Sequence, residues 1–524
     1  MKMKSSITLF ICLLFVFAVI INQVIAQEDK GSSAGKGLHG LRGSAIYPHQ
    51  TNPSPITKNH RTESTTVLNG VRRLVPQDYP TIQAAIDASI NGDTVLVSDG
   101  IYIENIHFLG KAIVVASLYL VDGDTSHIDQ TIIDGSNPSH PDSASVVYFI
   151  DGEDSTSVLC GFTITQGAGT AWTSSNGIEW RLGGGIFCKD ALGATIKNNR
   201  ITENRISGEN AYGGGVIFYF TGGFAILERN RIFDNSVTAN QGNGLAGGAG
   251  FVGTNVRIVG NVFERDTVVA QGFAISGGLD IAGDLGQNVP ADGVIRGNVF
   301  LNNFVDATLN NGLGGAFSCF YTVDMEISDN LFEGNIAMSQ NGWAEGGAVL
   351  IDDEFTTGYG RKLVTANRFI NNIATSTGFA ASGGALEIFR TLTTVSGNYF
   401  EQNSAQSGQS FGGAIRIFKS AFRLENNLIT KNTVNLGGAV YVSETPQGGT
   451  GLELINNTIV MNNALTSGGG IYVGSAVQPI VVNSILWGNI PTQITGSVVV
   501  SYSDVQGGYS GTGNIDADPL FADT

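Results

Sequence analysis

The feature that most constrains the fold of this chain is an internal repeat with a mean spacing of about 32 residues. A Gly-Gly pair recurs ten times, and each pair is followed by the motif Asn-x-(Phe or Ile). The first glycines of the pairs stand at 183, 213, 247, 277, 314, 346, 383, 412, 437 and 468, and the first asparagines at 199, 230, 261, 298, 330, 367, 398, 427, 457 and 483. A fixed period of roughly 20 to 50 residues is typical of solenoids, in which similar coils stack on one another.

Apolar residues recur at three places in each copy, with the short alternation that indicates strands rather than helices. One place lies three residues before the first Asn, one lies two residues after it, and one lies five residues after the first Gly. The residues predicted to face inward are Ile196, Leu227, Ile258, Ile295, Ile327, Val364, Val395, Leu424, Leu454 and Ile480; Ile201, Ile232, Phe263, Phe300, Phe332, Phe369, Phe400, Ile429, Ile459 and Ile485; and Cys188, Phe218, Val252, Ala282, Cys319, Ile351, Ile388, Ile417, Val442 and Val473.

Composition agrees with such a coil, because Gly accounts for 71 of 524 residues and Asn for 43, while only 14% of residues are charged. Glycine allows sharp bends, and Asn tolerates positive φ and can hydrogen-bond to the like amide one coil along. Coils that all turn the same way must pair in parallel. We therefore predict an all-β fold, a right-handed parallel β-helix solenoid of about 12 coils, with an N-terminal capping helix.

The first 74 residues are predicted to lie outside the solenoid. Residues 1–26 combine Lys2 and Lys4 with an apolar run and a small-residue cleavage site, which is the pattern of a secretory signal peptide. Residues 27–74 are rich in Ser, Thr, Gly and Lys/Arg and are predicted to be a flexible polar leader. The protein is therefore expected to be secreted or exposed at the cell surface, without a transmembrane segment in the mature chain.

The β-helix itself is predicted to occupy 75–524. Pro80 and Gly92 bracket a helix over 80–91, whose apolar stripe would cover the open end of the first coil. The residues of that stripe are Ile82, Ala85, Ile86 and Ile90. Irregular coils are expected over 93–166, regular repeats over 183–489, and an uncapped end over 490–524, as in a truncated β-helix.

Charge and cysteine content exclude several classes of function. From Val75 onward there are 19 basic and 42 acidic residues, a net charge of −23, so nucleic acid is not an expected partner. A polyanionic glycan would be repelled unless a cation such as calcium bridged the two, which makes calcium a candidate cofactor. Cys160, Cys188 and Cys319 are an odd number without metal-type spacing, so no disulfide framework is predicted.

The opening of the β-helix resembles a known superfamily. Asp78-Tyr-Pro-Thr-Ile-Gln-Ala-Ala-Ile-Asp-Ala-Ser, Gly92-Asp-Thr-Val-Leu-Val and Gly100-Ile-Tyr-Ile-Glu-Asn are similar to the beginning of pectin methylesterases and related carbohydrate-active β-helices. The repeats as a whole resemble right-handed β-helix proteins of the pectin lyase-like superfamily, and their GGA(I/V/L) and FxxN pairs resemble bacterial polymorphic outer-membrane adhesins. The resemblance covers residues from about 76 to 521 and implies the fold and a carbohydrate or surface partner.

Catalytic signatures of those families are missing. The chain contains no Gln-Asp-Thr, no Asp-Phe-Ile-Phe-Gly, no Arg-x-Pro-x-x-Arg, no Asn-Thr-Asp and no Gly-His-Gly. With six His residues in all, three of them in the leader, neither a catalytic triad nor a zinc site is indicated. The resemblance therefore assigns no esterase activity.

Aromatic residues recur at alternate positions of the strand that follows each Gly-Gly pair, and these positions are predicted to face outward. Planar rings in a row can stack on sugar faces, which makes them candidate ligand-binding residues. The alternative is that loops, the leader or a second subunit cover this face. The candidates are Phe187, Tyr219, Phe251, Phe320, Phe389, Phe418, Tyr441 and Tyr472.

Charged residues lie on the same predicted face in three successive coils. Asp352, Glu387 and Arg416 are the catalytic candidates, because a carboxylate and a base held close together can serve glycoside cleavage or proton abstraction from a uronate. The alternative is a ladder of exposed ion pairs between neighbouring strands.

A second aromatic set stands just before the Gly pairs, in loops that are long in the first seven copies and short in the last ones. These residues either anchor the loops or form the rim of a ligand site. They are Trp180, Tyr212, Phe273, Trp343, Phe379 and Phe411.

The leading interpretation is a secreted or surface-exposed β-helix protein that binds polysaccharide or a surface partner through its outer aromatic face. One alternative is a polysaccharide lyase or glycoside hydrolase acting on plant or algal glycans. The other is a structural adhesin passenger or stalk.

Overall fold

A computed structural model describes residues 70–174, 177–219, 223–283, 290–353, 360–444, 451–474 and 477–522. The predicted signal peptide and residues 27–69 of the predicted leader lie outside this part of the chain. Three long sheets, in which every strand pairs in parallel with its neighbours, run through the described residues. Each successive coil adds one strand to each sheet, so the predicted parallel β-helix is confirmed, with 13 to 15 described strands per sheet rather than about 12 coils.

Sheet 1 is formed by the strands that come just before the first Asn of the motif and has 15 described strands. Its strands are Arg72–Val75, Thr94–Val97, Val114–Ser117, Val158–Cys160, Thr195–Lys197, Phe224–Glu228, Asn255–Val259, Ala291–Arg296, Thr322–Ser328, Arg361–Thr365, Leu392–Ser396, Ala421–Glu425, Leu452–Ile455, Ile480–Val482 and Val499–Ser501. The first of these begins within the segment predicted to be the flexible leader, which is a correction to that boundary. Arg72–Val75 is ordered because it pairs with Thr94–Val97.

Sheet 2 contains the Phe or Ile of the motif and has 14 described strands. Its strands are Gly100–Ile103, Thr131–Asp134, Thr163–Thr165, Arg200–Thr202, Arg231–Phe233, Val262–Glu264, Val299–Leu301, Leu331–Glu333, Arg368–Ile370, Tyr399–Glu401, Leu428–Thr430, Thr458–Val460, Ile485–Trp487 and Asp504–Val505.

Sheet 3 follows the Gly-Gly pairs and has 13 described strands. Its strands are Ile106–His107, Val147–Phe149, Ile186–Lys189, Val216–Tyr219, Ala249–Val252, Leu279–Ala282, Phe317–Phe320, Val349–Asp352, Leu386–Phe389, Ile415–Phe418, Val440–Ser443, Ile471–Val473 and Ile494–Thr495.

A fourth group of strands, which we call the loop wall, is inserted between sheet 2 and sheet 3. In most regular coils the chain makes an outgoing and a returning strand; outgoing strands pair with outgoing ones and returning strands with returning ones. An antiparallel hairpin of Gly169–Thr173 with Glu179–Leu182 lies at the first end of the wall. The remaining wall strands are Ser143–Ala144, Arg205–Gly208, Asn210–Tyr212, Ser236–Ala239, Gly244–Leu245, Thr267–Ala270, Ala274–Ile275, Phe304–Ala307, Gly312–Leu313, Ile336–Ser339, Trp343–Glu345, Ile373–Ser376, Ala380–Ser382, Ser404–Gln406, Gln409–Phe411, Thr433–Leu436 and Asn463–Ser467.

Three helices lie in the irregular N-terminal coils: Ile82–Ala88, Tyr119–Asp122 and Ser126–Gln130. The first is the predicted capping helix, shorter than the predicted 80–91. It begins after Thr81, whose hydroxyl accepts a hydrogen bond from the Ala84 N–H at 3.1 Å. Ile82 and Ile86 are buried as predicted, whereas Ile90 is exposed because the helix ends before it.

The core is a narrow column of apolar side chains between the three sheets. The predicted inward residues of sheets 1 and 2 are fully buried in the first nine copies, and Phe263, Phe300, Phe332, Phe369 and Phe400 stack face to face along the axis. Cys160, Cys188 and Cys319 are buried free thiols. The predicted core positions account for Cys188 and Cys319, whereas no core position was predicted for Cys160.

The predicted register is wrong by one residue in two copies of sheet 3. Phe251 and Ile281 face the core instead of Val252 and Ala282, because Phe251 pairs with the inward Phe218. The physical reason is at the corner before the strand. Ala246 and Ser276 adopt φ of 49° and 54°, the left-handed conformation that the first Gly of the pair adopts in other copies. The visible Gly-Gly pairs of these two copies therefore stand one position later in the coil.

A similar shift of one residue occurs in the tenth copy. Val481 and Leu486 are buried there, in place of the predicted Ile480 and Ile485. The reason is that Ser484, rather than Asn483, accepts the hydrogen bond from the Asn457 N–H, at 3.1 Å.

Two ladders of buried Asn side chains line the bends on either side of sheet 2, as the sequence predicted. In each step the Oδ1 of one Asn accepts from both the backbone N–H and the Nδ2 of the Asn one coil before, as Asn335 and Asn372 do at 3.1 and 2.9 Å. The same Nδ2 also donates to a backbone carbonyl. The positive φ, however, belongs to the residue before each ladder Asn, such as Asn371 with 55°.

Asp266 interrupts one ladder, because its carboxyl stands where the other copies have an amide. Its Oδ1 accepts from the Asn235 N–H and Nδ2 at 3.0 and 2.9 Å, but its Oδ2 is buried without a hydrogen-bond partner among the described residues. Burial raises the pKa of Asp266 well above its usual value. The native protein therefore favours the protonated carboxyl.

We predict that Asp266→Asn raises the free energy of unfolding by about 1 to 3 kcal/mol at neutral pH, because the new amide can donate where Oδ2 cannot. In the wild type a raised carboxyl pKa makes stability fall as pH rises above the value of the unfolded chain, about 4. Urea unfolding at about pH 5 and about pH 8 measures both effects, and the gain should be larger at the higher pH. The control, Asn235→Asp, should lose stability at high pH. Equal stability of Asp266→Asn and wild type at both pH values would contradict this account.

Candidate functional site

The loop wall folds over the outer face of sheet 3 and turns most of that face into a second interior. Residues of the returning arms, including Trp180, Tyr212 and Phe273, form one buried apolar cluster with outward residues of sheet 3 such as Ile217 and Leu350. At Gly250 a Cβ atom would stand 2.3 Å from the Tyr212 ring, so the missing side chain makes room for that ring. The loop aromatics at 180, 212 and 273 are therefore anchors of the wall.

Four of the eight aromatic residues predicted to be exposed are buried. Phe187, Tyr219 and Phe418 lie at outward positions but retain only 6 to 8% of their exposure, and Phe251 faces the core. Phe187 and Tyr219 are covered by the wall, where the Trp172 ring meets the Tyr219 ring at 5.3 Å. The expectation that they form part of an open aromatic face is therefore wrong.

Four candidates, Phe320, Phe389, Tyr441 and Tyr472, remain half-buried. Phe389 stacks on Phe418 at 5.0 Å between ring centres. Tyr441 and Tyr472 instead continue a line of rings that begins in the loop wall. In that line the ring-centre distances are 5.5 Å from Phe379 to Trp343, 6.0 Å from Trp343 to Phe411, 5.0 Å from Phe411 to Tyr441 and 5.1 Å from Tyr441 to Tyr472.

We call these five residues, Trp343, Phe379, Phe411, Tyr441 and Tyr472, the aromatic row. Every member is at least partly exposed. Trp343, Phe379 and Phe411 lie on the wall itself, whereas the two tyrosines are open because the wall shortens. Thr433–Leu436 and Asn463–Ser467 lead to the next Gly pair without a separate returning strand in the described chain. Tyr441 and Tyr472 therefore lie beyond the part of sheet 3 that the wall covers.

A buried charged cluster lies under this row. Arg416 Nη1 donates to Glu387 Oε1 at 2.7 Å and to Ser382 Oγ at 3.3 Å, and it lies 3.8 Å from Glu345 Oε1. The Arg416 guanidinium carbon is 5.2 Å from the centre of the Trp343 ring and 4.8 Å from that of Phe418. Arg416 is thus enclosed by two carboxyl groups and by aromatic rings.

The three catalytic candidates are only partly brought together. Glu387 and Arg416 are directly paired in adjacent strands, whereas Asp352 lies further along its strand, opposite Phe389. Glu387 is fully buried, and Asp352 and Arg416 are 5% and 7% exposed. The two side chains form a buried hydrogen-bonded pair and not the exposed ladder considered from the sequence, because the wall covers them.

Burial is the largest influence on the pKa values of Glu345, Asp352 and Glu387. It raises the pKa of Glu387 to about 8, and the neighbouring charge of Arg416 opposes that shift. Burial also raises the pKa of Glu345 and raises that of Asp352 well above its usual value. Glu387 is therefore the carboxyl that is mostly neutral near pH 7, which leaves Glu345 as the counterion of Arg416.

Sequence reasoning missed Glu345 and Ser382 as members of the cluster. Both stand immediately before a Gly pair, at the end of a returning strand. Their position was visible in the sequence as the place that holds Tyr212 and Phe411 in other copies. What the sequence did not show is that this place faces sheet 3, since the wall had no predicted direction.

Within the described residues, no group of three or more His, Cys, Asp or Glu side chains is placed to hold a metal ion. The candidate calcium ion is therefore not assigned to any residues. None of the described helices is long and apolar enough to cross a membrane.

Comparison with known proteins adds little. No protein-family model matches the chain, and no curated protein matches it. A solved structure, tailspike protein 3 of bacteriophage CBA120, aligns with 13% identity over 83% of this chain, which spans 56% of the tailspike's length. The TM-score of 0.26 is too low for that likeness to carry an argument. The resemblance to the pectin lyase-like superfamily and to adhesins stays a prediction.

We predict that Glu387→Gln flattens the pH dependence of stability. A carboxyl whose native pKa is raised to about 8 stabilises the fold at low pH and loses that contribution as pH rises from its usual value towards 8. The change should remove a slope of up to about 1.4 kcal/mol per pH unit from the unfolding free energy, since Gln cannot ionise. Glu345 remains as the counterion of Arg416.

Urea unfolding across this pH range measures the slope. The control is Glu333→Gln on the outer face of sheet 2, which is half-exposed and should keep the wild-type slope. A Glu387→Gln slope equal to that of the wild type would show that Glu387 is ionised in the native protein.

Proposed function

We propose that this protein acts outside the cell as a glycan-binding β-helix, and that a polysaccharide chain lies along the aromatic row. The observation that carries this proposal is the line of partly exposed rings, each 5.0 to 6.0 Å from the next in the order Phe379, Trp343, Phe411, Tyr441 and Tyr472, which five neighbouring coils contribute. Sugar rings present apolar C–H faces that stack on aromatic rings, and a row of such rings suits a ligand that is itself a repeat.

The proposed binding face is smaller than the face predicted from the sequence and is limited to the aromatic row. It joins Tyr441 and Tyr472, predicted as ligand-binding strand residues, to Trp343, Phe379 and Phe411, considered from the sequence as a ligand rim. The location outside the cell rests on the predicted signal peptide, 1–26, which lies outside the described residues.

Enzymatic activity is the second candidate, and the raised pKa of Glu387 is the observation that favours it, because a protonated carboxyl can act as a general acid. Its full burial opposes that role, since substrate must touch the acid. A lyase or glycosidase using Asp352, Glu387 and Arg416 would therefore require the wall to move away from sheet 3. A structural adhesin passenger is the third candidate and requires no ligand at the row.

We predict that the double change Tyr441→Ala and Tyr472→Ala weakens glycan binding about tenfold or more, because two stacking rings are removed. Affinity electrophoresis through gels that contain individual soluble polysaccharides measures this loss. The control is Tyr399→Ala, which removes a half-exposed ring from the outer face of sheet 2 and should bind as the wild type does.

Other outcomes favour the other candidates. Unchanged binding by the double variant would contradict the row as the site. Release of sugar by the wild type, lost in Glu387→Gln, would support the enzyme. A wild type that is retarded by no glycan would contradict the proposal and favour the structural role.

A further inference from the structure

The loop wall is attached to sheet 3 in two different ways along its length. In the first coils the returning strands end in large apolar residues that pack into the cluster over sheet 3, namely Leu182, Tyr212, Leu245, Ile275 and Leu313. In the last three coils the returning strands end in Glu345, Ser382 and Phe411. Among the described residues, none of these three strands contributes to the apolar cluster. The end of the wall therefore needs another attachment.

Arg416 of sheet 3 supplies that attachment, because it contacts all three returning strands. Its Nη1 donates to Ser382 Oγ at 3.3 Å and lies 3.8 Å from Glu345 Oε1. Its guanidinium carbon is 5.2 Å from the centre of the Trp343 ring and 5.9 Å from that of Phe411. The buried apolar contacts between the outgoing and returning arms of these coils are made mainly by alanine. One side chain thus holds a lightly packed part of the wall against sheet 3.

The closed arrangement also leaves polar atoms without hydrogen bonds. Trp343 Nε1, Arg416 Nε and Glu387 Oε2 are buried and have no hydrogen-bond partner among the described residues. Burying a polar group without a partner is unfavourable, and each of these atoms would bond to water if the wall moved away from sheet 3. Hydration of these atoms therefore offsets part of the cost of opening.

We propose that the end of the loop wall is a lid, held shut by Arg416, which opens to bring Glu387 and Arg416 into contact with solvent. The lid consists of the returning strands Trp343–Glu345, Ala380–Ser382 and Gln409–Phe411 and the outgoing strands Ile336–Ser339, Ile373–Ser376 and Ser404–Gln406. This inference goes beyond the proposed glycan binding and does not depend on it. An open lid meets the condition that the enzymatic candidate requires.

Ionisation of Glu387 should control the lid. In the closed lid Glu387 faces Arg416 in the adjacent strand, Glu345 and Ser382 in the wall, and Asp352 further along sheet 3. The other titratable groups that act on this cluster are Asp353 and Arg390, beside Asp352, and Tyr441, beside Arg416.

Burial raises the pKa of Glu387 to about 8 in the closed lid, whereas a hydrated Glu has its ordinary pKa of about 4.3. A raised pKa favours the closed lid at low pH, and this preference is lost as pH rises from the ordinary value towards 8. The equilibrium constant for opening should therefore increase by up to about tenfold per pH unit in this range and level off above it.

Thiol labelling of Ser382→Cys measures opening, because Ser382 is fully buried where the lid meets sheet 3. The labelling rate is divided by that of glutathione at the same pH, which removes the effect of thiol ionisation. The matched control is Val252→Cys, because Val252 is of similar size and is 3% exposed under the apolar part of the wall. Leu350→Cys, next to Glu387 in sheet 3, is a second reporter under the lid. The wild type, whose described cysteines are buried, gives the background.

Between about pH 6.5 and 8 the normalised rate for Ser382→Cys should rise about tenfold per pH unit, while that for Val252→Cys stays low. Adding Glu387→Gln should remove this rise, since Gln cannot ionise, whereas adding Glu333→Gln on the outer face of sheet 2 should keep it. Adding Arg416→Met should raise the rate at pH 6.5 about tenfold or more, because Glu345 then loses its counterion.

Three results would overturn the lid. The first is labelling of Ser382→Cys and Leu350→Cys that is as slow as that of Val252→Cys at every pH. The second is an equal acceleration of all three, which would indicate global unfolding. The third is a rise with pH that Glu387→Gln leaves undiminished.

Discussion

The contact between one coil and the next is the interaction on which the rest of this structure depends. No coil can satisfy its own backbone or bury its own apolar residues, so each is completed by the strands above and below it. The Asn ladders extend this rule to side chains. Each amide oxygen accepts hydrogen bonds from the coil before it, and each amide nitrogen donates to a backbone carbonyl of that coil and to the Asn of the next coil. Left-handed residues at the bends keep the ladders aligned, which explains why Gly and Asn are abundant.

The same stacking rule builds the loop wall. Loops that would cross the surface separately instead pair with the corresponding loops of adjacent coils and form a layer with its own apolar contacts. This layer covers most of sheet 3, so outward residues of that sheet are buried instead of exposed. Aromatic residues that would form an open binding face become a second core, and Glu387 and Arg416 become a buried hydrogen-bonded pair. The aromatic row remains accessible where the loops become too short to continue the wall.

Covering sheet 3 with the loop wall also buries charged side chains. Removing Glu345, Glu387 and Arg416 from water is unfavourable, and only close pairing with neutralisation of one carboxyl offsets it. The cluster is therefore weak evidence for stability. Trp343 connects the two features, because it belongs to the row and also lies against Arg416.

The sequence by itself determined the solenoid, the capping helix, the burial of Cys188 and Cys319 and most of the core, because a repeated pattern places equivalent residues on equivalent faces. It failed at Ala246, Ser276 and Ser484, where a residue of another type occupies a position that Gly or Asn marks in other copies. Alternation shows only that a side chain points away from the core, not whether another layer lies outside it. Whether Phe187 and Tyr219 are exposed, and whether Glu387 meets water, was decided by the tertiary structure. The reason is that the direction in which a loop folds depends on pairing with loops some 30 residues away, and no local pattern encodes that direction.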